Sequence, residues 1–311
     1  MNAASLLGPL ACLGSAAFWA LAANVYARVA RDHGPMAVNF MRAALSFPIF
    51  LAAALLAGPA TGLALVTPGR AGWLLLSVVG SYVVGDALFL ASARSLGVPV
   101  SLAIASTYPL WSAFAGGAFL GQSVGAAGLA GVGLVVAGVV TVIGRGRRRS
   151  EEPSALDGAS AERSARPGTA GVLLALATSL FWALNTFAVT KGGADLPVAA
   201  VNVFRMGFAA ALLPVGTLLM RRRPSSLVVP AREMKRVWPV FLLESVGGTA
   251  LFVVGLTHTP LAVAAALTSL APALSVPFAV VIGRERLDAR TLAGIFVVTA
   301  GTVLLVAFGR G

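Results

Sequence analysis

The sequence has a single cysteine, Cys12, with two histidines and two lysines among 311 residues. One cysteine permits no intrachain disulfide and no cysteine-based metal cluster. The histidines, His33 and His258, fall at predicted helix ends, and neither a His-Glu-rich metal motif nor a Walker-type phosphate loop accompanies them. Charge is scarce: 11% of residues are Asp, Glu, Lys or Arg, against about a quarter in a soluble domain. No loop sets a nucleophile beside a base, and most loops are too short to build a catalytic site. An enzyme is therefore not expected, and no cofactor or metal is implied. The N-terminus lacks the basic region of a signal peptide and reads as a retained first helix.

What the chain has instead is apolar length. Hydrophobic residues make up 58% of it and the mean hydropathy is +0.89. That excess exceeds what one aqueous core buries, so the natural solvent is lipid. A hydrocarbon layer of about 30 Å needs roughly 20 apolar residues per helix. Ten such segments are predicted, at 6–27, 35–57, 71–93, 98–120, 124–143, 169–190, 197–219, 237–257, 260–282 and 289–308. The one long polar stretch, 145–168, separates residues 1–144 from 169–311 and reads as a flexible linker. The expected fold is an all-α integral membrane protein of ten transmembrane helices.

The two halves match at one fixed offset of 163 residues. Phe18–Leu21 (FWAL) recurs at Phe181–Leu184, and Val38, Asn39 and Arg42 recur as Val201, Asn202 and Arg205. Gly85, Ala87, Leu88 and Phe89 recur as Gly248, Ala250, Leu251 and Phe252, and Leu129–Gly131 recurs at Leu292–Gly294. Ser106 and Pro109 return as Ser269 and Pro272. Because each unit has an odd number of helices, the second enters the membrane from the opposite side. The result is an inverted repeat, the plan of many secondary transporters.

This pattern of an early Trp (Trp19, Trp182), an Arg in the next helix (Arg42, Arg205), a Ser-x-x-Pro in the fourth and a Gly-rich fifth resembles the EamA family of the drug/metabolite transporter superfamily. The family's Glu after the fourth helix is matched by Glu285, whereas the first copy has Gln122. The resemblance implies secondary transport, with export of amino acids, metabolites or drugs and no bound cofactor. Expected partners are the lipid bilayer, a small-molecule substrate and, in a coupled mechanism, protons. The oligomeric state is expected to be a monomer or homodimer.

A net charge of +12 suggests nucleic acid at first sight, but its placement excludes that. Eighteen Lys and Arg residues lie in loops on one side of the predicted bundle and three on the other. The positive-inside rule makes the first side cytoplasmic and puts both termini outside. EamA members are often described with cytoplasmic termini, so resemblance and charge bias disagree here, and the charge bias is followed. Arg outnumbers Lys 21 to 2, a bias associated with GC-rich bacterial genomes, so a bacterial plasma membrane is expected.

Nine residues are candidates for a substrate site: Trp19, Arg42, Tyr82, Asp86, Tyr108, Trp182, Asn185, Arg205 and Glu244. Charge at the bilayer centre costs roughly 2.5–3.5 kcal/mol on insertion scales, so it persists where it faces a cavity or a partner. Arg42 and Arg205 either clamp a carboxylate or brace the scaffold. Asp86, opposite Thr249 in the repeat, and Glu244, opposite Ser81, suit proton coupling; the alternative is internal pairing of Asp86 with Arg42 and Glu244 with Arg205. Pairing near the interface is preferred for Glu244, and Asp86 is read as cavity-facing. Trp19 and Trp182 either line a cavity or pack between helices, and Tyr82 and Tyr108 offer hydroxyls without symmetric partners. Asn39 and Asn202 read as interhelical bonds, Pro109 and Pro272 as bends, and the glycines of the fifth span as a close helix contact. Matched residues point to scaffold and mismatched ones to function. A C-terminal fusion to a reporter that works only in the cytoplasm is expected to be silent; an active one overturns the orientation.

Overall fold

In lipid every backbone polar group must be satisfied within the chain, which turns the apolar segments into helices. A computed structural model describes residues 3–58, 62–111, 125–149, 169–259, 264, 267–284 and 287–308. Every regular element among them is helical. The first repeat contributes α1 (Ala3–His33), α2 (Pro35–Leu56), α3 (Pro68–Leu96), α4 (Val98–Ala105) and α5 (Ala126–Arg149). The second contributes α6 (Thr169–Gly193), α7 (Val198–Leu219), α8 (Ala231–His258), α9 (Ala271–Val281) and α10 (Ala289–Phe308). The chain is an all-helical membrane protein of two inverted five-helix repeats. Glu285, Gln122 and most of the predicted linker lie outside the described residues.

Several helices overrun their apolar segments. The first was predicted to end at 27 and continues to His33; the eighth was predicted from 237 and begins at Ala231. Hydropathy marks the part of a helix that sits in hydrocarbon, whereas hydrogen bonding carries the helix on into the polar layer. Large side chains at the bundle surface are apolar, with Leu56 89% and Leu219 80% exposed. Such a surface suits lipid rather than water.

The third and fourth helices of each repeat are irregular at matched places. A π turn interrupts α3 at Val79–Val83 and α8 at Leu243–Gly248. The fourth segment breaks at turn residues 106–107 in one repeat and at 269–270 in the other, which are 163 apart. This corrects the reading of Pro109 and Pro272 as bends in continuous helices. Each proline stands at the start of the segment that resumes after the break. There its missing N–H is no loss, since the first donors of a helix have no internal acceptor.

The repeats interleave. The first helix of each packs against the third and fourth of the other: α1 on α8 and α9, and α6 on α3 and α4. The second helices, α2 and α7, lie together. The most extensive pairing joins α5 to α10. A Cβ at Gly138 would fall 2.6 Å from the Val298 nitrogen and 2.9 Å from the Gly294 oxygen. One at Gly301 would fall 2.6 Å from the Val135 nitrogen and 2.9 Å from the Gly131 oxygen. These contacts exchange under the 163-residue offset, so a pseudo-twofold axis runs through the crossing. The glycine stripe is thus an internal contact. Gly138→Leu is expected to destabilise by about 1–3 kcal/mol through overpacking, read as a lowered thermal midpoint in detergent. Gly133→Leu should leave the midpoint unchanged, because nothing lies within 4 Å of an added Cβ there.

Candidate substrate-binding cavity

Interleaving the repeats brings their first four segments around one cavity. It offers about 120 Å³ of room for water centres, where a single water needs about 10–15 Å³. Trp19, Arg42, Tyr82, Asp86 and Tyr108 of the first repeat line it, as do Trp182, Asn185, Arg205 and Glu244 of the second. All nine candidates drawn from the sequence therefore converge on one space. Trp19 and Trp182, equivalent in the repeats, touch edge to face with centroids 5.7 Å apart. Close approach of α3 to α6 depends on missing side chains. A Cβ on Gly80 would lie 2.8 Å from the Phe181 oxygen, and one on Gly85 would lie 2.9 Å from the Trp182 ring.

Arg42 is the centre of a buried ionic cluster. Its Nε and Nη2 each donate to a Glu244 carboxylate oxygen at 3.0 Å. Its Nη1 donates to Asp86 Oδ2 at 2.5 Å and to Asn39 Oδ1 at 3.3 Å. Tyr26 Oη donates to Glu244 at 2.7 Å, and Trp182 Nε1 donates to Asp86 Oδ1 at 2.9 Å. The guanidinium carbon also lies 4.4 Å from the Tyr82 ring centroid and 5.1 Å from those of Trp19 and Tyr26. Four of the five N–H donors of Arg42 are committed. Burying ions costs several kcal/mol each, and this geometry offsets the cost with paired charges and satisfied lone pairs.

Glu244 pairs with Arg42 rather than the expected Arg205, and it is buried within the bundle. The reason is the interleaving: the third helix of one repeat meets the first of the other, so Glu244 comes to Tyr26 and the α2 arginine. Asp86 does pair with Arg42 while also lining the cavity, so the pairing and cavity-facing alternatives both describe it.

Arg205 sits in the equivalent place with different company. Its Nε donates to Ser77 Oγ and its Nη2 to Asn185 Oδ1, both at 3.1 Å, and its carbon lies 5.8 Å from the Phe252 ring. No carboxylate pairs with it among the described residues, and its buried Nη1 has no hydrogen-bond partner. A buried donor left unmade costs about 1–3 kcal/mol, and more when charged. The matched asparagines diverge likewise. Asn39 Nδ2 bonds the Tyr82 carbonyl at 2.7 Å, whereas neither side-chain polar atom of Asn202 has a partner. Tyr108 hydrogen-bonds Thr268, linking the fourth segment of one repeat to that of the other. Tyr26 was not among the candidates. Its position corresponds to Val189, so the mismatch that marked Asp86 and Glu244 marks Tyr26 as well.

Comparison with known proteins settles what the fold belongs to. The profile of the EamA-like transporter family matches residues 6–144 and again 169–307. The chain belongs to the EamA-like transporter family. This EamA-like protein is also 26% identical over 302 residues to an uncharacterized transporter of Archaeoglobus fulgidus, spanning 97% of this chain and 98% of that one. A solved crystal structure shares its fold with a TM-score of 0.64 at 18% identity, covering 99% of this chain and 97% of the other. The protein is thus a membrane transporter, and the cavity lies where its two EamA repeats meet.

Arg42→Met leaves Asp86 and Glu244 buried together without their cation and is expected to destabilise by about 3–5 kcal/mol. Glu244→Gln keeps one acid on Arg42 and should cost less. Chemical denaturation of the purified variants checks the order.

Proposed function

We propose that this EamA-like transporter is a secondary-active permease that exports a small metabolite, such as an amino acid or a drug-like amphiphile, by alternating access. One observation carries the reading: a cavity at the junction of two inverted repeats, lined from both, with ionisable side chains in its wall. Rocking one interleaved half against the other would expose such a site to each face in turn. The π turns beside Asp86 and at Glu244, and the broken fourth segments, are the irregular backbone expected where helices line a site.

At the basic end of the bundle, three side-chain contacts join α1 to its neighbours. Arg28 donates to the Ile282 carbonyl, Arg94 to the Ala30 carbonyl, and His33 meets Glu233 at 2.5 Å. These contacts tie α1 to α9, α3 and α8 at the end the Lys and Arg bias makes cytoplasmic. On this reading both termini lie outside a bacterial plasma membrane.

Proton coupling, on this reading, runs through Asp86. Glu244 accepts three hydrogen bonds, two from Arg42 and one from Tyr26. Asp86 accepts one from Arg42 and one from Trp182 at the cavity wall, so it is the less committed carboxylate. Joint clamping of an anion by Arg42 and Arg205 is disfavoured, because Arg42 is occupied. In proteoliposomes, Asp86→Asn is expected to reduce pH-gradient-driven solute movement by about tenfold or more, a loss of roughly 1.4 kcal/mol. Unchanged pH dependence in that variant excludes the proton role.

A further inference from the structure

We infer that Arg205 anchors a carboxylate of the transported solute, while Arg42 is a fixed part of the wall. This rests on the transport reading above. Duplication supplied two equivalent arginines, and substitution at two other positions made them unequal. Arg42 meets Asp86 and Glu244; the positions equivalent to these acids in the other half are Thr249 and Ser81. Arg205 is left with the neutral acceptors Ser77 and Asn185.

Its position then has three properties of an anion anchor. The side chain is 2% exposed yet lines the cavity. Its Nη1 has no partner, although Nε and Nη2 are held, so the fork is oriented in advance. A guanidinium presents parallel N–H groups that match the two oxygens of a carboxylate. Among the described residues lining the cavity Arg205 is the cation without a carboxylate partner, and one such cation suits a monoanion better than a phosphate dianion. Trp19, Trp182 and Phe252 supply apolar surface for the rest of the solute.

Charge balance narrows the solute further. The formal charges of Arg42, Arg205, Asp86 and Glu244 sum to zero, so a bound carboxylate formally adds one uncompensated negative charge. Either an ammonium on the same solute or one accompanying proton cancels it. The ionisable groups lining the cavity beside Asp86 are Arg42, Arg205, Glu244, Tyr82 and Tyr108.

Four probes of near-identical skeleton separate these cases: leucine, 4-methylpentanoate, 4-methylpentanamide and 3-methylbutylamine. Thermal-shift titration of the full chain in detergent is expected to show saturable binding of one or both carboxylates. The amide and the amine should bind about tenfold more weakly or worse. Leucine alone assigns the compensating charge to the solute's ammonium, and binding of 4-methylpentanoate shows that no ammonium on the solute is needed; either supports the anchor. Arg205→Gln should remove the preference and Arg205→Lys should retain part of it. If Arg205→Gln fails to fold, the wild-type comparison decides alone. Equal binding of 4-methylpentanoate and its amide, or no saturable binding of either carboxylate, overturns the proposal. Proteoliposome counterflow of leucine or 4-methylpentanoate at equal rates in wild type and Arg205→Gln overturns the anchor and leaves the transport reading standing. Carboxylates that bind but show no counterflow overturn the transport reading and leave the anchor intact.

Discussion

The Arg42 guanidinium holds Glu244 through two hydrogen bonds and Asp86 through a third, and in doing so it ties α2 to α8 and α3. Tyr26 and Trp182 extend the network to α1 and α6. Both repeats therefore meet in one ionic cluster with almost no exposure to solvent. In a low-dielectric interior such a group is stable only when its donors and acceptors are nearly all matched. The π turns, the glycines that let α3 approach α6, and the aromatic rings over the guanidinium lie around this cluster.

Away from the cluster, the bundle is held by shape. Lipid offers little hydrophobic drive for one helix to leave it for another, so association depends on close packing. The α5–α10 crossing meets this need with glycines that place backbone against backbone. Its contacts are symmetric under the repeat offset. The broken fourth segments lie closer to the cavity, where Tyr108 and Thr268 join them.

The offset of 163 made the plan of the fold and much of the site legible beforehand. Positions where the halves disagree, Asp86 against Thr249 and Glu244 against Ser81, proved to be the two carboxylates of the cluster. Tyr26 was overlooked because a lone tyrosine in an apolar helix has no local signature; only its mismatch with Val189 sets it apart. The partner of Glu244 was misassigned because pairing was assumed within a repeat. Helix ends were placed short because hydropathy senses lipid contact rather than backbone hydrogen bonding.

Composition and periodicity alone determined that this protein lives in lipid, that it has two antiparallel units of five helices, and which ionisable groups lie in its spans. They are one-dimensional properties, set by transfer free energy and by register. Tertiary structure decided which charge meets which. Arg42 and Arg205 occupy equivalent places in sequence, yet one is paired with two carboxylates and the other, in the cavity wall, keeps a buried donor without a partner. That difference depends on how the two repeats interleave, because each arginine draws part of its surroundings from the opposite half of the chain.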